Sequence, residues 1–102
     1  VDLEELDSMI RNKNIVLLDV RPQEEYKLGH ITGAVSVPVH ELKSVMDKFS
    51  KNKEIIAYCR GPFCVLADEA VKLLGERGFK VRRLDEGYPE WKLRMLEKSL
   101  TN

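Results

Sequence analysis

Residues 54–74 have the sequence EIIAYCRGPFCVLADEAVKLL, whose pattern changes at Cys59. The first five residues are mostly apolar and branched, which is typical of a strand buried on both faces of a parallel sheet. From Val65 to Arg77, apolar residues recur at helical spacing and predict a helix with an apolar stripe of Val65, Ala67, Ala70, Val71 and Leu74. Residues 59–64 are therefore predicted to form a loop that joins a strand to a helix N-terminus.

The same alternation extends over the rest of the chain. Strands are predicted over residues 15–20, 35–38 and 79–84, and helices over 2–12, 22–28, 39–49 and 89–97. Gly29 is expected to end its helix because glycine tolerates positive φ, and Trp91 and Leu93 are expected to face the core. Strands that alternate with helices predict one α/β domain over residues 1–102, with a mostly parallel central sheet flanked by helices.

Composition excludes several classes of protein. The chain has 17 Lys and Arg against 17 Asp and Glu, so it lacks the cationic surplus of a protein that binds nucleic acid directly. The longest apolar stretch, Ile15 to Leu18, is too short for a bilayer that needs about 20 residues. The N-terminus does not resemble a secretory signal, and two neighbouring cysteines do not resemble a disulfide framework. We therefore expect a cytoplasmic protein that does not bind membranes.

The predicted loop at residues 59–64, which follows the buried strand at residues 54–58, can stabilise an anion. It presents backbone N–H groups, and the dipole of the following helix adds positive potential. If the anion is the thiolate of Cys59, its sulfur becomes a nucleophile at physiological pH. Arg60 is either a solvated cation or an electrostatic support for bound anions. Gly61 permits close approach of the backbone, and Pro62 fixes φ and has no N–H.

Over nearly its whole length, the sequence resembles the single-domain rhodanese family of sulfurtransferases. The resemblance rests on three motifs in the same order as in the family. The first comprises Leu18-Asp19-Val20-Arg21, Glu25-Tyr26, Gly29-His30-Ile31, Gly33-Ala34 and Val37-Pro38; the second is the loop Cys59-Arg60-Gly61-Pro62-Phe63-Cys64; the third is Leu84-Asp85-Glu86-Gly87 followed by Trp91. The loop is most similar to that of rhodanese domains fused to winged-helix arsenic-repressor-like regulators.

The resemblance implies a three-layer rhodanese-like fold in which Cys59 accepts a sulfane sulfur as a persulfide. The donor would be thiosulfate, a polysulfide or a persulfide, and the acceptor a thiol or cyanide, with no cofactor and no metal required. The residues expected to bind the substrate are Arg60, Gly61, Pro62, Phe63, Cys64 and Val65. Phe63 would be an exposed aromatic that docks an acceptor protein or walls the substrate. The chain would be either a fragment fused to a DNA-binding domain or a stand-alone relative.

Several residues keep two interpretations. Cys64 either packs at the helix entrance or acts as a resolving thiol that attacks the Cys59 persulfide or forms a disulfide with Cys59. Asp19 and Arg21 are expected to support the site as an ion pair or through backbone hydrogen bonds, with direct substrate contact as the alternative. His30 has the chemistry of a general base, but it lies in a turn motif without an orienting partner.

Two other functions use the same loop. An arsenate reductase or phosphatase would close its loop with an arginine that pairs with a tetrahedral oxyanion, and Cys64 and Val65 stand where that cation is expected. A non-enzymatic sensing module would use persulfidation, or a disulfide between Cys59 and Cys64, to alter a partner domain. The absent loop cation lowers the expectation of a phosphatase and slightly favours the sensing module.

Overall fold

The protein, a computed structural model that describes residues 1–12 and 14–101, is built on four parallel strands. They are β1 (Ile15–Asp19), β2 (Val35–Ser36), β3 (Glu54–Tyr58) and β4 (Val81–Arg83), in the spatial order β2-β1-β3-β4. In the central pair Ile15 lies opposite Glu54, and Asp19 lies opposite Tyr58. Cys59 therefore follows a central strand at the carboxyl edge of the sheet, where ligands bind in parallel α/β folds.

Helices cover both faces of this sheet. The helices are α1 (Leu3–Asn12), α2 (Gln23–Leu28), α3 (Leu42–Val45), α4 (Val65–Glu76) and α5 (Tyr88–Thr101). Ile55 and Ala57 pack in one apolar cluster with residues of α3 and α4, and Ile56 packs in another with residues of α1 and α5. Since neighbouring side chains of a strand point to opposite faces, these clusters form two cores in three layers. The α/β class and the parallel sheet are confirmed.

The prediction of one continuous helix over residues 39–49 is wrong. The segment consists of a 3₁₀ turn at Val39–Glu41, the short helix α3 and a second 3₁₀ turn at Met46–Lys48. Branched valines lie where the geometry changes, at Val39 and Val45, and β-branched residues lose side-chain freedom in a helix. Leu42 and Met46 are nevertheless buried as the spacing predicts.

Two side chains expected to face the core are exposed. Leu93 is 58% exposed and Val65 is 69% exposed. Each lies two positions from a residue of its own helix that packs inward, Trp91 and Ala67 respectively, and two helical steps turn a side chain by about 200°. No helix in the described part of the chain has the length and apolarity that crossing a membrane requires.

Candidate functional site

Cys59 is held at the strand end, below the surface of the site. Its residue is 1% exposed, and its carbonyl accepts a 3.3 Å hydrogen bond from the N–H of Tyr88 at the start of α5. Its sulfur is bonded to that of Cys64, with 6.2 Å between the two Cα atoms. The two cysteines are thus brought together, and Cys59 has no free thiol in this state.

The loop between the two cysteines has backbone donors without a partner among residues 1–12 and 14–101. Its turn is closed by a 3.3 Å hydrogen bond from the N–H of Cys64 to the carbonyl of Gly61. Within the described residues, the N–H groups of Arg60, Gly61 and Phe63 donate to no protein acceptor. Because the loop leads into the N-terminus of α4, these donors lie in a region that favours negative charge.

Arg83, at the end of β4, holds this loop in place. Its Nη2 donates to the carbonyl of Gly61 at 2.6 Å, and its Nη1 donates to the carbonyl of Cys64 at 2.9 Å and to Asp68 Oδ1 at 2.6 Å. Sequence reasoning missed this residue. The available signal was an arginine near the end of a predicted strand, where a charge that becomes buried needs fixed partners.

The third motif supports the loop through close backbone packing. A Cβ at Gly87 would overlap the backbone of Arg60 and Gly61, so only glycine lets this turn approach so closely. The Gly87 N–H donates to Glu90 Oε1 at 3.0 Å, which fixes the turn at the start of α5. The glycine at 87 is therefore required sterically by the site.

Arg60 is engaged with a carboxylate of α2. Its Nε donates to Glu25 Oε1 at 2.8 Å and to Oε2 at 3.1 Å. The hydrogen bond from Arg60 lowers the pKa of Glu25 below its ordinary value, against a smaller effect of burial, and Glu25 raises the pKa of Arg60 in turn. The charge of Arg60 is thus largely compensated before any substrate anion arrives.

Asp19 and Arg21 form a buried network beneath the site. Arg21 Nη2 donates to Asp19 Oδ2 at 2.6 Å, and the Tyr58 hydroxyl donates to the same oxygen at 2.7 Å. Burial lowers the pKa of Arg21, but the hydrogen bond and charge of Asp19 more than offset it and leave that pKa raised. Burial, together with the Asp19 charge, raises the pKa of Tyr58 well above its ordinary value. This network joins the ends of β1 and β3.

The backbone of Gly29 differs from the prediction that it ends α2 with a positive φ. Its φ of 165° is extended backbone, which any residue adopts, so it does not end α2 through positive φ. A Cβ there would overlap the Tyr88 hydroxyl, and its carbonyl accepts a 2.7 Å hydrogen bond from Arg21 Nη2. Gly29 is therefore needed for close packing around Arg21, whose guanidinium lies 4.8 Å from the centre of the Tyr88 ring.

The outer side of the loop is apolar and open. Phe63 is 95% exposed, and together with Pro62 and Val65 it lines a depression of about 530 Å³.

His30 makes its contacts within its own turn. Its ring stacks on the Tyr26 ring with 3.8 Å between the ring centres, and its Nδ1 lies 3.0 Å from the Tyr26 carbonyl oxygen. Over residues 1–12 and 14–101, no group of three or more His, Cys, Asp or Glu side chains could hold a metal ion.

Comparison with known proteins gives consistent results. The family description "Rhodanese-like domain" matches residues 2–94. The chain is 46% identical over 79 residues to the HTH-type transcriptional regulator Rv0324 of Mycobacterium tuberculosis, covering 78% of this chain but only 35% of the regulator. It is 31% identical over 85 residues to thiosulfate sulfurtransferase GlpE of Coxiella burnetii, covering 82% of this chain and 78% of that protein. The structure of a human single-domain sulfurtransferase, TSTD1, superimposes with a TM-score of 0.79 at 29% identity, covering 89% of this chain and 92% of that one.

Proposed function

The chain belongs to the rhodanese-like domain family, and from this premise we propose that it is a sulfurtransferase that uses Cys59. The observation that carries the proposal is the position of Cys59 at the carboxyl end of a central strand, in a loop with N–H groups that donate to no acceptor in the described part of the chain. The names of two similar proteins, a thiosulfate sulfurtransferase and a single-domain sulfurtransferase, support this chemistry.

The proposed reaction has two displacement steps. In the first, the Cys59 thiolate attacks the outer sulfur of a donor such as thiosulfate, a polysulfide or a persulfide. The sulfur–sulfur bond of the donor breaks, and the donor remainder leaves with the electron pair; from thiosulfate it is sulfite. In the second, a thiol or cyanide attacks the outer sulfur of the Cys59 persulfide, and Cys59 leaves as a thiolate. The loop N–H groups stabilise the anionic states of both steps.

The pairing of Cys59 with Cys64 sets the starting condition for this cycle. A sulfur that is already bonded to Cys64 cannot attack a donor, so the reactive form has both thiols reduced. This requirement agrees with the cytoplasmic setting predicted from the sequence, which stays a prediction. The apolar depression beside Phe63 is proposed to receive the organic part of a donor or an acceptor protein.

Replacement of each cysteine tests the assignment of Cys59. We expect Cys59→Ser to release no sulfite from thiosulfate and to gain no mass, because a serine hydroxyl neither ionises near neutral pH nor forms a stable persulfide. Cys64→Ser is expected to release sulfite and to gain about 32 Da, the mass of one covalently held sulfur atom. The proteins are reduced, desalted and then mixed with thiosulfate; a sulfite assay measures the release, and intact mass spectrometry measures the gain in mass. An adduct on Cys59→Ser that is absent from Cys64→Ser would reverse the assignment.

A second candidate is a sulfur-sensing module within a longer regulator. It is favoured by the 46% identity to a transcriptional regulator, of which this chain spans 35%. A sensing module would be modified about once per molecule, whereas an enzyme forms many equivalents of product. Counting sulfite against protein in the presence of excess donor and acceptor thiol separates the two functions.

A further inference from the structure

The disulfide between Cys59 and Cys64 is not used by the proposed transfer reaction, which needs only one cysteine. Their Cα atoms lie 6.2 Å apart, within the range of about 4.4–6.8 Å that disulfides span. The folded backbone therefore places Cys59 and Cys64 close enough for their sulfurs to bond. A persulfide formed on Cys59 has a second thiol beside it.

Cys64 is fixed in this position from both sides. Its N–H is bound to the carbonyl of Gly61, and its own carbonyl accepts the 2.9 Å hydrogen bond from Arg83. Arg83 is anchored in turn by Asp68, which lies on the first turn of α4. The turn that carries Cys64 is thus tied to a strand and to a helix, which keeps its sulfur facing Cys59.

Cys64 is also placed to react as a thiolate. It is the residue immediately before α4, a helix of 12 residues, and its side chain makes no capping hydrogen bond. Negative charge is stabilised at a helix N-terminus, where cysteines are commonly reactive. The disulfide is the independent observation that this sulfur reaches Cys59.

We propose that Cys64 resolves the Cys59 persulfide and releases its outer sulfur as hydrogen sulfide, a step that rests on the sulfurtransferase function proposed above. The Cys64 thiolate attacks Cys59 Sγ, and a Cys59–Cys64 bond forms. The bond from Cys59 to the outer sulfur breaks, and that sulfur leaves with the electron pair as hydrosulfide, which takes a proton from water according to pH. The two cysteines are oxidised and the sulfane sulfur is reduced, so this step needs no external reductant.

The disulfide then stops further loading until it is reduced. A thiol reductant restores the pair by thiol–disulfide exchange, in which two small thiols become one small disulfide. The protein thereby gains a second activity, reduction of sulfane sulfur to sulfide at the expense of thiols. An acceptor thiol that attacks the outer sulfur first would instead complete ordinary sulfur transfer, so the two outcomes compete for one intermediate.

A single-turnover experiment on the full chain tests this step. The protein is reduced, desalted and mixed with excess thiosulfate in the absence of added thiol, since thiosulfate yields sulfite on loading and no sulfide of its own. For the wild type we expect about one equivalent each of sulfite and sulfide, with a final mass about 2 Da below that of the reduced protein. For Cys64→Ser we expect about one equivalent of sulfite, no sulfide and a retained gain of about 32 Da.

Each alternative result has a defined meaning. A wild type that retains the added sulfur and releases no sulfide overturns the proposal, including the case in which the sulfur moves onto Cys64. Sulfide release by Cys64→Ser equal to that of the wild type overturns it too. Cys64→Ala repeats the comparison if the serine variant does not fold. If glutathione persulfide, used as a second donor, also fails to load any variant, the sulfurtransferase function itself fails.

The dependence on protein concentration tests whether the step is intramolecular. With Cys64 in the same loop, the first-order rate constant of sulfide release is expected to stay unchanged when the protein is diluted tenfold. A tenfold fall in that rate constant would mean that a second molecule supplies the attacking thiol, which contradicts the proposal. A small dithiol added after loading should release sulfide from Cys64→Ser, which identifies its adduct as a persulfide.

Discussion

Tyr58 and Cys59 are neighbours in the chain, yet they belong to regions built on opposite principles. Tyr58 lies in the buried network of Asp19 and Arg21, where two charges and a hydroxyl are bound to one another. Cys59 opens a loop whose outer side is apolar and in which several N–H groups donate to no acceptor among the described residues. The buried region fixes the ends of two strands, and the loop beside it keeps its donors available for a substrate.

The loop itself is held in place by parts of the chain outside it. Arg83 binds its carbonyls from β4, Gly87 packs against its backbone ahead of α5, and Glu25 binds Arg60 from α2. Charges near the loop are therefore used for positioning, whereas anions must rely mainly on backbone donors. The comparison predicts large effects on stability in the buried network, intermediate effects on catalysis in the loop and small effects at the exposed ion pair between the loop and α2.

The largest effect is expected from breaking the buried ion pair. Asp19→Asn keeps the shape of the side chain but leaves the Arg21 charge buried without its counter-ion. We expect a loss of about 3–5 kcal/mol in the free energy of unfolding, measured by urea denaturation. The matched control is Asp68→Asn, which removes an exposed partner of Arg83 and should cost at most about 1 kcal/mol. Equal losses in both variants would contradict the contrast between the regions.

An intermediate effect is expected from adding a cation to the loop. With Arg60 paired to Glu25, the dianion thiosulfate gains little charge compensation, so its kcat/KM should be lower than that of glutathione persulfide. Val65 is exposed at the start of α4, and Val65→Arg should narrow this gap by about 10- to 100-fold, since a cation near a partly buried anion contributes about 1–3 kcal/mol. Val65→Gln controls for side-chain length. Faster wild-type turnover of thiosulfate than of persulfide would refute the electrostatic argument.

The part of the fold that follows local patterns could be predicted from the sequence. The branched run of β3 and the helical spacing of α4 are local signals, so the position of Cys59 between them follows directly. The prediction that Leu93 of α5 faces the core was wrong, because a helix with apolar residues on several faces does not indicate which face packs. The 3₁₀ turns around α3 depend on local packing that spacing alone does not describe.

The supports of the loop were harder to predict because they lie far away in sequence. Arg83 reaches Gly61 across 22 positions, and the contact exists only because β4 pairs beside β3. Gly87 was recognised as part of a motif, but its need for close approach to the loop required coordinates. The role of Cys59 as sulfur carrier stays a prediction, because a disulfide-bonded pair shows proximity and not chemistry.

The smallest effect is expected at the exposed ion pair that joins the loop to α2. Because Arg60 lowers the pKa of Glu25, the folded protein binds fewer protons at Glu25 than the unfolded chain, whose glutamate pKa is about 4.3. The stabilisation is therefore fully present above that value and is lost as the pH falls through the folded pKa. Since the pair is partly exposed, we expect only about 0.2–1 kcal/mol. Urea unfolding of the wild type and Glu25→Gln at pH 7 and at pH 3 measures it: the difference between the two proteins should shrink at the lower pH. A difference that stays constant with pH would show that the Glu25 charge contributes nothing, and that the loop is held by Arg83 and Gly87 without it.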